Sequence, residues 1–218
     1  MTFAARARAV AVVVAYGVSL VAVFRMTPEI PRPVPLPAWS GRYVVAFFLP
    51  TFAVCLWFLL RALAARDPLP SRYGAGRAAR EAVLTAAIVF VVGLHLILLA
   101  TTLWPRPSLG RLLPLLLGAV MVTVGNVLPR LRPNLALGVR TPWALRDERV
   151  WARTHRTGGY LVVAWGLAML IGAVTAPVAA LYVMVLGVPV VPALLAALSF
   201  AFSRGARDTA PPVSPTRF

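Results

Sequence analysis

The fold is decided by residues 157–203, which read TGGYLVVAWGLAMLIGAVTAPVAALYVMVLGVPVVPALLAALSFAFS and contain no Asp, Glu, Lys or Arg. As one α-helix these 47 residues would span about 70 Å, more than twice the roughly 30 Å hydrocarbon core of a bilayer. The stretch must therefore fold back on itself. We place the turn at Ala176-Pro177, between two membrane spans.

The other apolar runs of the chain can each supply one further span. They are residues 9–24, 43–60, 82–105 and 112–129. The first is short, and a signal-peptide core is the alternative interpretation. An uncleaved span is favoured because no small-x-small cleavage site follows, and because Arg8 and Arg25 can both snorkel to the interfaces. The sequence thus predicts an all-α polytopic membrane protein with about six transmembrane helices.

Composition supports lipid as the solvent of this chain. Apolar residues make up 60% and charged residues 13%, against about 45–50% and about 25% in soluble domains. The net charge of +16 comes from arginine, since there is no lysine, and the arginines lie between the apolar runs. This placement indicates membrane topology, and we expect no direct contact with nucleic acid.

The distribution of arginines predicts the orientation. Seventeen lie in the N-terminus, residues 61–81, residues 129–158 and the C-terminal tail, and five lie on the other side. Because positive charge accumulates on the cytoplasmic side, both termini and the two long basic loops are predicted to be cytoplasmic.

We divide the chain into three parts. Residues 1–104 form a three-span region with a proline-rich external loop between Met26 and Arg42. Residues 105–203 form a second three-span region whose cytoplasmic loop, residues 125–159, is the richest in motif residues. Residues 204–218 are predicted to be a disordered cytoplasmic tail.

The cytoplasmic loop carries signals for a turn followed by a short interfacial helix. Pro129 and Pro133 disfavour helix at the residues before them, and Gly138 allows a backbone conformation that other residues avoid. Thr141 before Pro142 has the pattern of a helix N-cap followed by proline at the first helical position. The adjacent acids Asp147-Glu148 suit a second helical start.

A stripe at helical spacing continues from this loop into the fifth span. It consists of Trp151, His155, Gly158 and Val162, separated by four, three and four residues. The simplest interpretation of Trp143 and Trp151 is anchoring at the membrane interface. For the arginines of the loop, a solvated or lipid-facing role competes with a dedicated binding surface.

These motifs resemble the SdpI-type family of immunity and signalling membrane proteins. The similarity covers GNVLPRLRPN at 125–134, GVRTPW at 138–143 and WARTHRTGG at 151–159. The candidate site residues that carry it are Asn126, Pro129, Pro133, Asn134, Gly138, Arg140, Thr141, Pro142, Trp143, Trp151, Arg153, Thr154, His155, Arg156, Gly158 and Gly159.

The resemblance implies a receptor-like function. Such proteins protect the cell against a secreted toxic peptide and can hold a cytoplasmic repressor at the membrane. Ile30-Pro31 matches the external loop of the family, but no histidine or asparagine follows it in that loop. We therefore expect partner capture to depend mainly on the inner loop, through Arg153, His155 and Arg156.

Polar groups within the spans are few. His95 is expected either to form an interhelical hydrogen bond, with Thr101, Thr102 or another helix, or to have a proton-linked or ligand-binding role. Asn126, near the inner end of the fourth span, has the same alternatives. Cys55 lies in an apolar run and is interpreted as a small packing residue.

Enzyme and metal signatures are weak. The chain has two histidines and one cysteine, and its lysine-free sequence excludes a phosphate loop with its lysine. We predict no catalytic residue, no metal and no cofactor, and membrane lipids as partners. The alternatives are a small transporter or channel using His95, Asn126 and Thr123, and a membrane enzyme that uses His155 on a phosphorylated lipid.

Overall fold

A computed structural model of the protein describes residues 3–25, 40–66, 77–104, 108–134 and 137–208. These residues form helices and no strand. The α-helices are α1 (Phe3–Arg25), α2 (Ser40–Ala65), α3 (Arg77–Leu103), α4 (Leu109–Val127), α5 (Pro142–Arg146), α6 (Glu148–Thr175) and α7 (Pro177–Asp208), and a 3₁₀ turn at Leu128–Arg130 extends α4.

Six of these helices, all except α5, are long and apolar enough to cross a membrane. The predicted all-α polytopic fold is therefore confirmed. The predicted turn between the last two spans is confirmed as well, since α6 is capped by Ala176 and α7 begins at Pro177. α7 ends at Asp208, beyond Ser203, where the last span was predicted to end.

The helices pack in two groups that meet at α3 and α4. In the first group α1, α2 and α3 pack on one another around apolar side chains. The buried members of this core are Val12, Ala15, Ala53, Ile88, Val91 and Val92. In the second group α6 lies between α4 and α7. The external loop, the linker at 67–76 and the end of the tail lie outside the described residues.

Glycines allow α4 and α6 to approach closely. A Cβ on Gly125 would lie 2.8 Å from the carbonyl oxygen of Gly159, and a Cβ on Gly159 would lie 2.8 Å from that of Gly125. Gly118 and Gly166 form the same reciprocal pair two turns away. Because there is no room for a side chain at these positions, the two backbones are in contact, as is common between membrane helices.

Arg8 does not snorkel to the interface, so that prediction is wrong. Its side chain is only 2% exposed and crosses from α1 to α3. One terminal nitrogen donates to Glu81 Oε2 at 2.6 Å, and the other donates to Thr85 Oγ1 at 3.0 Å. The guanidinium also lies 5.7 Å from the centre of the Trp57 ring. A carboxylate on a neighbouring helix offsets the desolvation of Arg8, which the sequence of α1 alone does not reveal.

His95 makes the interhelical hydrogen bond that was expected for it, but with a residue of α1. Its Nε2 lies 2.7 Å from Ser19 Oγ, and Ser19 Oγ donates its own proton to Ala15 O. A serine hydroxyl has one proton, so Nε2 is the donor to Ser19. Thr101 and Thr102 bond to carbonyls of their own helix instead.

Candidate functional site

The arginine-rich end of the second helix group is covered by a folded segment, residues 128–134 and 137–146, which we call the cap. It includes the 3₁₀ turn and α5 and packs on the beginning of α6. Its core contains Leu128, Leu131 and Ala144 packed against Val150 and Trp151. Apolar packing therefore fixes the cap to the helices beneath it.

Trp151 is the central side chain under the cap. It is only 1% exposed, and its indole N–H donates to the carbonyl oxygen of Leu131 at 2.7 Å. The expectation that this tryptophan anchors at the membrane interface is therefore wrong. Interfacial tryptophans face lipid headgroups, whereas this one fills the protein interior and satisfies a loop carbonyl.

His155 joins the cap to α6. Its ring stacks on Trp151 with 3.9 Å between the ring centres. Nε2 accepts the backbone N–H of Val139 at 3.1 Å, and Nδ1 lies 2.9 Å from the carbonyl oxygen of Trp151. Nδ1 must carry the proton because a carbonyl only accepts, so the bonded ring is the neutral Nδ1–H tautomer.

Two residues shape the backbone of the cap. Gly138 has φ +97°, as its sequence position predicted, and a Cβ there would collide with His155 Nε2. Asn134 is buried, and its side chain accepts from the N–H of Leu137 at 2.6 Å and donates to Arg132 O at 2.9 Å. Both residues stabilise the turn that places the backbone N–H of Val139 within hydrogen-bond distance of His155 Nε2.

Ser199 of α7 forms hydrogen bonds with the cap at the start of α5. Its hydroxyl oxygen accepts from Trp143 Nε1 at 2.9 Å and from Thr154 Oγ1 at 3.1 Å. Thr141 Oγ1 lies 2.9 Å away. Since both lone pairs of Ser199 are used, its proton goes to Thr141. Sequence reasoning missed Ser199, which stands alone in an apolar run without a local motif.

The two predicted helical starts are confirmed in position, but only the second is capped by the side chain of its N-cap residue. α5 begins at Pro142 with Thr141 at the N-cap, but the Thr141 side chain binds Ser199 and does not cap. Asp147 caps α6 by accepting the backbone N–H of Arg149 at 2.7 Å. A nearby ion pair, Arg132 to Glu148, is half exposed and adds little stability.

The predicted site residues separate into structural and exposed groups. Those that are buried are Asn134, Trp151, Thr154, His155, Gly158 and Gly159, and those that are half-buried are Pro133, Thr141 and Trp143. Those that are exposed are Asn126, Pro129, Gly138, Arg140, Pro142, Arg153 and Arg156. His155 is fully buried and presents no surface to a partner, so an effect of this residue on partner capture would pass through the cap. Asn126 lies on the exposed side of α4 and bonds to Val122 O of its own helix.

One face of α6 carries an exposed row of arginines. Arg149, Arg153 and Arg156 follow at spacings of four and three residues, which places them on one side of the helix. Tyr160, 73% exposed, continues the same side. The opposite side is the buried stripe of Trp151 and His155. We call Arg149, Arg153 and Arg156 the arginine row.

One member of the arginine row packs on an aromatic ring of α7. The guanidinium of Arg153 lies 5.1 Å from the centre of the Phe202 ring of α7, a cation–π contact. Arg204 makes a similar contact with Phe200, at 5.2 Å. These contacts limit the freedom of the Arg153 and Arg204 side chains, so these two side chains lose less entropy when an anionic surface binds.

The fold and this site define a polytopic α-helical membrane protein with a folded, arginine-rich cap at one end. Residues 130–203 match the model of the SdpI/YfhL protein family, so the resemblance seen in the motifs is confirmed over the cap, α6 and most of α7. Searches of curated proteins and of solved structures find no match.

Proposed function

We propose that the protein acts by binding, as a bacterial plasma-membrane immunity or signalling protein of SdpI type. In this proposal it protects against a secreted toxic peptide and holds a soluble regulator at the cytoplasmic face. The family match supports the first part. The observation that carries the second part is the arginine row, an exposed cationic face on a helix whose other side is fixed in the protein core.

The direction of the row favours a soluble protein over lipid as its partner. Arg149 lies eleven residues before Tyr160, or about 16 Å along the helix axis. Tyrosine suits the membrane interface, and the headgroup layer beyond the hydrocarbon is only about 5–8 Å thick. With Tyr160 at the interface and α6 upright, Arg149 would extend beyond the headgroup layer, where an acidic surface of a soluble regulator can reach it.

The alternatives receive less support from the described residues. For a transporter, the two polar pairs of the first helix group, Arg8 with Glu81 and Ser19 with His95, are separated by the packed side chains around Val12. For an enzyme acting through His155, both ring nitrogens are already bonded within a buried site. Binding at the exposed arginine row requires no packed side chains to move and no existing hydrogen bond to break.

The test replaces the arginine row by alanine at Arg149, Arg153 and Arg156. A matched control replaces three arginines that are exposed on the first helix group, Arg61, Arg66 and Arg77. Both variants lose three positive charges. In a deletion strain, we expect the row variant to lose both the membrane association of the soluble regulator and the signalling response, while the control retains them.

Survival under challenge with secreted toxic peptides is measured in the same strains. Association that persists in the row variant, at a normal level of membrane-inserted protein, would show that the row is not the binding surface. Equal loss in both variants would show that only total charge matters. If deletion cells survive the peptides as well as complemented cells do, the proposed protection against toxic peptides is contradicted.

A further inference from the structure

A cleft of about 420 Å³ opens between α1, α3 and α4, within the range of about 300–1,000 Å³ of small-molecule sites. Alanines from all three helices face one another there and leave a space that larger side chains would fill. They are Ala4, Ala7, Ala82, Ala86 and Ala119. Towards the middle of the spans the cleft ends at Leu116, whose side chain packs on Gly93.

The hydroxyls in the walls of the cleft have no spare proton to donate to a ligand. Thr85 donates to Glu81 O at 2.7 Å and accepts from Arg8 at 3.0 Å. Thr123 donates to Ala119 O at 2.8 Å. A carbonyl or phosphate group placed inside would lose its hydration without finding a donor, so the cleft favours hydrocarbon.

The wall formed by α4 leads out of the cleft to exposed polar residues. Asn126 follows Ala119 by seven residues and Thr123 by three, which places it on the same side of the helix. Arg130 lies seven residues beyond Thr123, about 10 Å further along the axis, and is exposed. An apolar cleft that leads to a guanidinium fits a molecule with a hydrocarbon chain and an anionic head.

We propose that the cleft binds one acyl chain of an anionic phospholipid from the surrounding leaflet, with its phosphate at Arg130. Arginine suits this role because its planar guanidinium can bind two phosphate oxygens at once. The proposal also accounts for Asn126, a motif residue that lies apart from the cap. It does not depend on the proposed capture of a soluble regulator.

The test uses the purified full chain in phosphatidylcholine vesicles that contain a small amount of a photoreactive lipid. The reactive group is in the acyl chain, and the lipid is either phosphatidylglycerol or phosphatidylcholine. We expect phosphatidylglycerol to label α3 and α4 about fivefold more than phosphatidylcholine does, which is the effect of one arginine near the headgroups. Arg130→Gln should remove this preference, whereas the control Arg146→Gln should keep it.

Filling the cleft tests the position of the chain. Ala119→Leu should reduce the labelling of α3 and α4 by both lipids, and Ala7→Leu, on the opposite wall, provides a second variant if the first does not fold. Equal labelling of the wild type by the two lipids would overturn the proposal. Full labelling of folded cleft-filling variants would also overturn it, because the label would then report contact with bulk lipid. Equal loss of the phosphatidylglycerol preference in Arg130→Gln and Arg146→Gln would overturn it as well, because only total charge would then matter.

Discussion

Ser199 shows how one small side chain can hold a cap in place. Its hydroxyl joins α7 to Trp143 of α5, to Thr154 of α6 and to the Thr141 hydroxyl. Replacing Ser199 by alanine leaves the indole N–H of the half-buried Trp143 and the hydroxyl of the buried Thr154 without this partner. An unsatisfied buried donor costs about 1–3 kcal/mol.

We therefore predict that Ser199→Ala lowers the free energy of unfolding by about 1–3 kcal/mol and loosens the cap. The matched control is Ser203→Ala, since the Ser203 hydroxyl bonds only to Phe200 O of its own helix. Thermal unfolding in detergent and hydrogen exchange of the Val139 amide provide the measurements. A Ser199 variant as stable as the Ser203 variant, with a protected Val139 amide, would contradict this role.

Individual residues also show where sequence reasoning stops. The stripe of Trp151, His155 and Gly158 was predicted from its spacing, and the structure buries it on one side of α6. His155 and Arg153 are two residues apart on this helix and therefore lie on different sides of it. Their shared motif predicted one binding surface for both. Ser199 had no local signal, because its partners are about 45 to 58 residues away in sequence.

At the scale of the helices, α1 and α3 are joined by an ion pair between the buried Arg8 and the partly exposed Glu81. Removing the charges of Arg8 and Glu81 from water is unfavourable, and their mutual attraction offsets this cost. The sequence predicted the positions of both helices because bilayer thickness and hydropathy determine them. It did not predict the burial of Arg8, because this depends on a carboxylate of another helix.

We predict that removing one member of this pair is worse than removing both. Glu81→Gln alone leaves the Arg8 charge buried without its counter-ion and should lower stability, by less than the about 3–5 kcal/mol of a fully buried pair because Glu81 is 30% exposed. Arg8→Met combined with Glu81→Gln should recover part of this loss. The unfolding midpoints of the two variants, measured in the same detergent, provide the comparison. A double variant less stable than Glu81→Gln would show that the pair stabilises the fold outright.

At the scale of the whole molecule, the two helix groups differ in their exposed features at the arginine-rich end. The second group presents the cap and the arginine row, and the family match covers most of that region. The first group contributes the ion pair and two walls of the cleft. The number of spans followed from the sequence alone, whereas the side of the membrane that each end faces remains a prediction from the arginine count.

The central claim, that the arginine row meets a cytoplasmic partner, requires the row to face the cytoplasm. Single cysteines at Arg149 and at Arg111, which lies at the opposite end of the bundle, test this directly in a Cys55→Ala background. A membrane-impermeant maleimide should label the cysteine at position 111 in intact cells and the cysteine at position 149 only after permeabilisation. Labelling of position 149 from outside, with position 111 protected, would contradict the account.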